Sequence, residues 1–169
     1  MAETGILKPD ARVELIEGEI LELSPIGRRH NGCVDSVTEL LFEGLERRAI
    51  VRTQGSFTLG EHGEPQPDVL VLRRRPDFYR TTDVGPEDVL LIVEVADSSE
   101  GYDRLTKAPL YALYKIPELW IADLNRDRIS IHRDPTPTGY ATVQVARRGE
   151  TISPLAFPDI QIAVEAILG

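Results

Sequence analysis

Three residues of the sequence combine side chains that could together hydrolyse a phosphodiester: Asp68, Glu94 and Lys107. Asp68 opens one segment with the composition of a β-strand, Glu94 lies near the end of the next long apolar segment, and Lys107 follows in a helix-like segment. If the two strands are antiparallel neighbours, the start of one lies beside the end of the other, so both carboxylates meet at one edge of the sheet. Two carboxylates, helped by a main-chain carbonyl such as that of Val95, are donors suited to Mg²⁺ or Mn²⁺. The pattern predicts a metal site at which a lysine can orient a water or stabilise charge on a phosphate.

Each of these three residues also has an ordinary structural explanation. Asp68 could cap a turn, Glu94 could pair with an arginine at a strand end, and Lys107 could lie on a solvated helix face. Taken one at a time, those explanations are favoured, because charged side chains are mostly found at the surface. Only the combination, ordered along strand, strand and helix, favours a catalytic site.

Two further residues are candidates for the same site. His30 opens the first long helical segment, where it could contact a phosphate or a metal-bound water, or else cap the helix or hydrogen-bond the core. Gln66 lies two residues before Asp68 and could contact the metal site or the nucleophile. Covalent catalysis is not indicated, because Cys33 lies on an apolar helix stripe and no serine occupies a Gly-x-Ser-x-Gly elbow. There is likewise no P-loop and no dinucleotide-binding fingerprint.

Length and composition exclude other classes of protein. The 169 residues fit one domain, residues 1–169, because no linker or repeat divides them. A single cysteine allows neither an intramolecular disulfide nor a thiolate metal cage. The net charge of −9 opposes nonspecific wrapping of nucleic acid, so any such contact must be local. No apolar run approaches the roughly 20 residues of a membrane span and no signal-peptide pattern begins the chain, so we expect a cytoplasmic protein with no membrane partner.

The pattern of apolar residues predicts a mixed α/β chain, with one central sheet flanked by helices and a β-hairpin before it. The hairpin is predicted over residues 13–23, with its turn at Glu17-Gly18. Helices are predicted over about 29–48, over about 102–114, where Pro109 either kinks the helix or marks a late start, and briefly from Val164. Strands are predicted at 49–52, 56–59, 68–72, 89–96, 119–123, 129–133 and 141–146, with a turn over 134–139.

Four segments that carry these residues resemble the Uma-type restriction-endonuclease family, which belongs to the PD-(D/E)XK nuclease superfamily. The likeness extends to the hairpin and to Arg29-His30-Asn31 at the helix start, and it covers about residues 13–133. The segments are 64–71 (EPQPDVLV), 92–99 (IVEVADSS), 102–112 (YDRLTKAPLYA) and 116–120 (IPELW).

The resemblance implies a restriction-endonuclease-like fold and a divalent-metal-dependent endonuclease that acts on DNA with Mg²⁺ or Mn²⁺. It implies that Asp68 and Glu94 hold the metal. The superfamily usually places its lysine two residues after the second acid, where this chain has Ala96, so the resemblance assigns that role to Lys107 in the following helix. By analogy with nucleases that cut both strands, a homodimer built on the strands from about Ile129 onward is a further expectation.

Two other functions stay open on the sequence. The fold could have lost catalysis and serve as a nucleic-acid-binding or protein-interaction module, which the net charge and the missing lysine at position 96 would favour. The carboxylates could also be placed by accident in an unrelated hydrolase or a structural domain.

Aromatic and arginine residues near the candidate site allow two interpretations. Tyr111, Tyr114 and Trp120 could stack on bases, but their spacing favours positions in the core. The arginines 73–75 follow the Asp68 strand directly, and either flank a phosphate path or lie in a solvated loop.

Overall fold

A six-stranded mixed β-sheet forms the centre of the fold, with its strands in the order β3-β4-β5-β6-β7-β8. The computed structural model describes residues 13–22, 27–61, 63–97 and 107–169. The strands are β1 (Val13–Ile16), β2 (Glu19–Glu22), β3 (Ala49–Thr53), β4 (Val69–Arg73), β5 (Val89–Ala96), β6 (Glu118–Asp123), β7 (Arg128–Thr136), β8 (Gly139–Arg147), β9 (Thr151–Ile152) and β10 (Ile162–Ala163). The helices are α1 (Arg28–Leu45), α2 (Lys107–Leu113) and α3 (Val164–Leu168), with a 3₁₀ turn at Pro86–Asp88. The predicted class, a mixed sheet flanked by helices and preceded by a hairpin, is confirmed.

The pairing of β4 with β5 fixes the position of the candidate carboxylates. These strands are antiparallel, with Val69 opposite Val93, so the residue before β4 lies beside the end of β5. On its other side β5 pairs in parallel with β6, and the connection between them contains α2. A parallel pair requires such a crossover, which here carries a helix across one face of the sheet.

The two central strands are buried on both faces, which explains their uninterrupted apolar sequences. Alternate residues point to opposite faces of a strand. The face that carries Val69 and Val93 packs against α1, whose buried stripe includes Val37 and Leu41. The opposite face carries Leu70 and Ile92 and packs against Tyr111 of α2. Helix α1 therefore covers one face of the β4–β5 pair, and helix α2 covers the other.

The predicted strand at residues 56–59 is wrong, because this segment is a loop in the structure. Its backbone donors go to separate segments: Thr58 N donates to Val84 O over 2.9 Å, and Leu59 N donates to Gly63 O over 2.8 Å. Phe57 and Leu59 are buried on the face of the sheet that packs against α2. The alternation of apolar residues therefore comes from their burial and not from strand pairing.

Two element boundaries differ by three residues from the predictions, at the ends of α1 and β7. Helix α1 ends at Leu45, and Glu46 takes a left-handed conformation with φ of 47°. Strand β7 continues to Thr136, so the predicted turn over 134–139 is shorter. Beyond Arg133, β7 pairs only with β8, and Pro135, which lacks an N–H donor, is tolerated there. Helix α2 is described from Lys107 and contains Pro109 in its first described turn, while the predicted helical residues 102–106 lie outside the described part of the chain.

None of the described helices is long and apolar enough to cross a membrane.

Candidate functional site

Asp68 and Glu94 meet at one edge of the sheet, as their antiparallel strands require. The amide N–H of Asp68 lies 3.4 Å from Oε2 of Glu94. In the opposite direction, the amide N–H of Val95 donates to Oδ2 of Asp68 over 2.8 Å. Only 2% of Asp68 and 1% of Glu94 is exposed, so both carboxylates are removed from bulk water.

Lys107 reaches back to this edge from the first described turn of α2. Its Nζ lies 3.6 Å from Oε1 of Glu94. The same ammonium contacts both carboxylate oxygens of Glu14 in β1, at 2.7 and 2.5 Å. Because Lys107 is 6% exposed and Glu14 is 2% exposed, this ion pair is buried, and pairing offsets the cost of removing both charges from water. The structure therefore brings Lys107 to Glu94, with Glu14 as the nearer partner.

Tyr111 fixes the other side of Glu94. It follows Lys107 by four residues, which places both side chains on the same face of α2. Its hydroxyl donates to Oε1 of Glu94 over 3.0 Å. Burial raises the pKa of Tyr111 well above its ordinary value of 10.0, and the negative charges of Glu94 and Glu14 raise it further. The phenol is therefore a neutral hydrogen-bond donor to the carboxylate.

His30 lies against Asp68 and not against the apolar core. It is the third residue of α1, and its Nε2 is 3.1 Å from Oδ2 of Asp68. The start of α1 is anchored to the sheet by Arg29, which contacts Asp97 at 3.2 Å and donates to Leu124 O over 2.8 Å. His30 therefore lies beside the candidate carboxylates, and its contact with a phosphate or a metal-bound water stays a prediction.

Gln66 takes a different position from the one predicted. Its side-chain amide donates to the main-chain oxygen of Gln54 over 2.6 Å and therefore does not point to the carboxylate pair. Its backbone N–H donates to Oε1 of Glu14 over 2.9 Å. Gln66 is thus connected to the site through its main chain, which helps to hold the carboxylate that binds Lys107.

The charges of the site suit a divalent cation. Among the residues that the structure describes here, the buried carboxylates of Glu14, Asp68 and Glu94 outnumber the single buried ammonium of Lys107. Burying carboxylates is costly, and a cation bound between them would offset part of that cost. All the candidate donors are hard oxygens, which is the chemistry of Mg²⁺ and Mn²⁺.

The number of side-chain ligands is small. Within 13–22, 27–61, 63–97 and 107–169, no group of three or more His, Cys, Asp or Glu side chains is arranged to hold one metal ion. A cation at the edge would therefore take two carboxylates, a main-chain oxygen such as that of Val95, and further oxygens from water or substrate. Mg²⁺ typically keeps several waters and is bound by one or two carboxylates, so this donor set fits.

Cys33 lies close to the site but is not a nucleophile. It is buried on the apolar stripe of α1. Burial raises the pKa of the Cys33 thiol from 9.0 to about 12, and the nearby charges of Asp68 and Asp97 contribute to the rise. A thiol of this kind stays protonated at neutral pH and is unreactive.

The sequence did not single out Glu14 or assign Tyr111 to the site. Tyr111 was expected in the core, and it is fully buried, but its hydroxyl also binds a candidate metal ligand. The available signal was its spacing of four residues from Lys107. For Glu14 the signal was weaker, because the hairpin contains several glutamates whose local sequences are similar.

Comparisons with known proteins agree with this architecture. In a crystal structure described as a putative nuclease belonging to DUF820, from Anabaena variabilis ATCC 29413, the fold matches with a TM-score of 0.75 and 14% sequence identity. That match covers 98% of this chain and 94% of the other chain. No curated protein matches this sequence significantly. The model of the Uma2 family, described as putative restriction endonuclease, matches residues 2–165, and the chain therefore belongs to that family.

Proposed function

We propose that this protein is a divalent-metal-dependent endonuclease that hydrolyses phosphodiester bonds in DNA. The observation that carries the proposal is the meeting of Asp68 and Glu94 at one sheet edge, with Nζ of Lys107 at 3.6 Å from Glu94. Membership of a restriction-endonuclease family supports a nuclease and a nucleic-acid substrate.

In this proposal Asp68 and Glu94 hold Mg²⁺ or Mn²⁺ together with the main-chain oxygen of Val95. Such a cation, when bound, lowers the pKa of a coordinated water and offsets charge on the phosphodiester. The hydrogen bonds from Val95 N to Asp68 and from Tyr111 to Glu94 fix the orientation of the two carboxylates. Ligands fixed in this way need little rearrangement when a cation binds.

Lys107 and His30 surround the carboxylates with groups that can bind a phosphate or a water. The ammonium of Lys107 is a compact charge that can stabilise negative charge as it develops on the phosphate. In the proposal Glu14 is a positioning residue, because its carboxylate holds that ammonium within reach of Glu94. His30 orients Asp68 through its contact at 3.1 Å, and its exposed neighbour Arg29 lies at the same edge.

The proposal is tested by incubating the purified protein with supercoiled, linear and single-stranded DNA in Mg²⁺ or Mn²⁺. We expect wild type to cut at least one form, and Glu94→Gln and Lys107→Met to lose at least about 100-fold in rate. Glu39→Gln, on the exposed side of α1, is the matched control and keeps full activity. Equal residual cutting by all four proteins would identify a contaminating nuclease and remove the proposal.

A fold that binds nucleic acid without cutting it is the second candidate. The observation that favours it is the position of Lys107, whose shortest contacts are to Glu14 and not to the metal-ligand candidate Glu94. Binding of DNA by a protein that neither binds Mn²⁺ nor cuts any substrate would support this candidate. The homodimer and the cytoplasmic location stay predictions.

A further inference from the structure

An exposed aromatic ring lies close to two arginines in the segment that follows β4. The guanidinium carbon of Arg74 is 4.4 Å from the centroid of the Phe78 ring, and that of Arg80 is 5.9 Å from the same centroid. Phe78 is 44% exposed although it is strongly apolar. We call Arg74, Phe78 and Arg80 the stacked arginine surface.

The backbone that presents this surface has an unusual conformation. Phe78 and Tyr79 both have positive φ, of 53° and 58°, which is uncommon and strained for aromatic residues. Tyr79 anchors the segment, because its hydroxyl donates to Arg73 O over 2.9 Å and contacts Oδ1 of Asp88 at 3.2 Å. Tyr79 is buried, whereas the neighbouring ring of Phe78 is exposed and lies near both guanidinium groups.

Two carboxylates of this segment, those of Asp77 and Asp88, are engaged by other groups. Asp77 receives two hydrogen bonds from Arg75, and Asp88 receives those from Tyr79 and from the amide of Gly85. In the part of the chain that the structure describes, neither Arg74 nor Arg80 forms a salt bridge with an acidic side chain. A guanidinium stacked on a ring keeps its N–H edges available, and those edges match the oxygens of a phosphate.

The stacked arginine surface lies at the far end of β4 from the carboxylates. Asp68 precedes the strand and Arg74 follows it, so the two residues are separated by six steps of about 3.3 Å, or about 20 Å. Val69, Leu70, Val71 and Leu72 of β4 are buried, so the surface and the carboxylates lie at opposite ends of the strand and not along one exposed strand.

We propose that the stacked arginine surface binds backbone phosphates of DNA, away from the edge that carries the carboxylates. This inference rests on the proposed function for the class of ligand, while its test measures binding and not cutting. The net charge of −9 makes such a surface useful, because long-range attraction to DNA is absent and affinity must come from local contacts. Phosphate contacts position a protein on DNA without reading its sequence.

The test measures binding of a fluorescent duplex of about 20 base pairs by anisotropy, in EDTA, over a range of salt concentrations. We expect Arg74→Ala/Arg80→Ala to reduce the slope of log affinity against log salt by about 2, because each phosphate contact contributes about 0.9. Arg74→Lys/Arg80→Lys keeps the charges and should keep the slope, with weaker binding because the stacked fork is lost. Phe78→Asn, which tolerates positive φ, should weaken binding without changing the slope.

Two results would overturn the inference: a slope for the double alanine variant equal to that of wild type, or no binding of DNA by wild type. All substituted side chains are exposed, so we expect unchanged melting temperatures. If wild type cuts DNA and the slopes are equal, only this inference fails. If the slopes differ as expected and wild type does not cut, only the nuclease proposal fails.

Discussion

Lys107 and Glu14 form a buried ion pair that joins the N-terminal hairpin to helix α2 across 93 residues of sequence, with Nζ and Oε1 at 2.7 Å. The hairpin is docked by a second contact, in which Glu64 N donates to Leu15 O over 2.8 Å. The position of the candidate catalytic amine therefore depends on a strand pair outside the central sheet. Substituting Glu14 therefore tests the positioning of Lys107 without changing either candidate metal ligand.

Glu14→Gln should reduce kcat for DNA cutting by about 10-fold or more, with little change in KM, because Lys107 loses the charge that holds it beside Glu94. It should also lower the free energy of unfolding by about 3 kcal/mol, since one charge of a buried pair loses its partner. Glu14→Asp should restore part of the activity. Urea denaturation and steady-state kinetics provide both values.

The control for this change is Glu17→Gln in the exposed turn of the same hairpin. We expect its stability to stay within about 0.5 kcal/mol of wild type. If Glu14→Gln lost stability but kept kcat, Glu14 would be a structural residue only.

Asp68→Ala should abolish Mn²⁺ binding, because this residue supplies one of the two candidate carboxylate ligands. The expected loss of affinity is at least about 100-fold in calorimetry, together with loss of the Mn²⁺-dependent rise in melting temperature. Asp68→Asn keeps the shape of the side chain and should behave in the same way. Unchanged Mn²⁺ affinity in both variants, measured beside the Glu39→Gln control, would place the metal elsewhere or nowhere.

The juxtaposition of Asp68 and Glu94 could be predicted from sequence because it depends on local features. The apolar composition of β5 identifies a central strand, and an antiparallel neighbour brings the start of β4 to its end. The expectation that Lys107 lies near this edge rests on the order of the segments along the chain and on the family resemblance. Its actual distance from Glu94 depends on how α2 packs across the sheet, which no local pattern specifies.

The role of Glu14 could not be predicted, because the hairpin presents glutamates at several positions of similar local sequence. Glu14 is buried while Glu17 and Glu19 are exposed. What separates them is the docking of the hairpin onto Glu64, a contact between segments about 50 residues apart. Likewise, the alternation in residues 56–59 suggested a strand because burial of Phe57 and Leu59 has the same period as a β-ladder.

Tyr111→Phe should keep the packing of α2 but remove the hydroxyl that binds Glu94. We expect a loss of about 1.5 kcal/mol in the free energy of unfolding, the usual value for a hydrogen bond to a charged group. The ring stays in place, so a much larger loss would contradict the assignment. Cutting should slow at saturating Mn²⁺ if the hydroxyl orients Glu94, and a fully active variant would show that it does not.

Wild type and Tyr111→Phe should differ in how their stability depends on pH at high pH. Burial raises the pKa of Tyr111 well above 10.0, so the folded protein holds this proton more tightly than the unfolded chain does. The contribution to stability is therefore fully present below pH 10.0 and is lost as the pH rises above that value. Tyr111→Phe lacks this group, and its unfolding free energy should fall less steeply in the alkaline range.

Cys33 should resist alkylation in the folded protein. Its pKa of about 12, raised from 9.0 by burial and by the charges of Asp68 and Asp97, leaves almost no thiolate at pH 8. We expect labelling by iodoacetamide to be slow in buffer and to become rapid only at denaturant concentrations that unfold the protein, with the two midpoints coinciding. The raised pKa also stabilises the folded state fully below pH 9.0, and this contribution is lost as the pH rises towards about 12. Stoichiometric labelling of the folded protein within seconds would show instead that the start of α1 opens readily, which is incompatible with a site held rigid around Asp68.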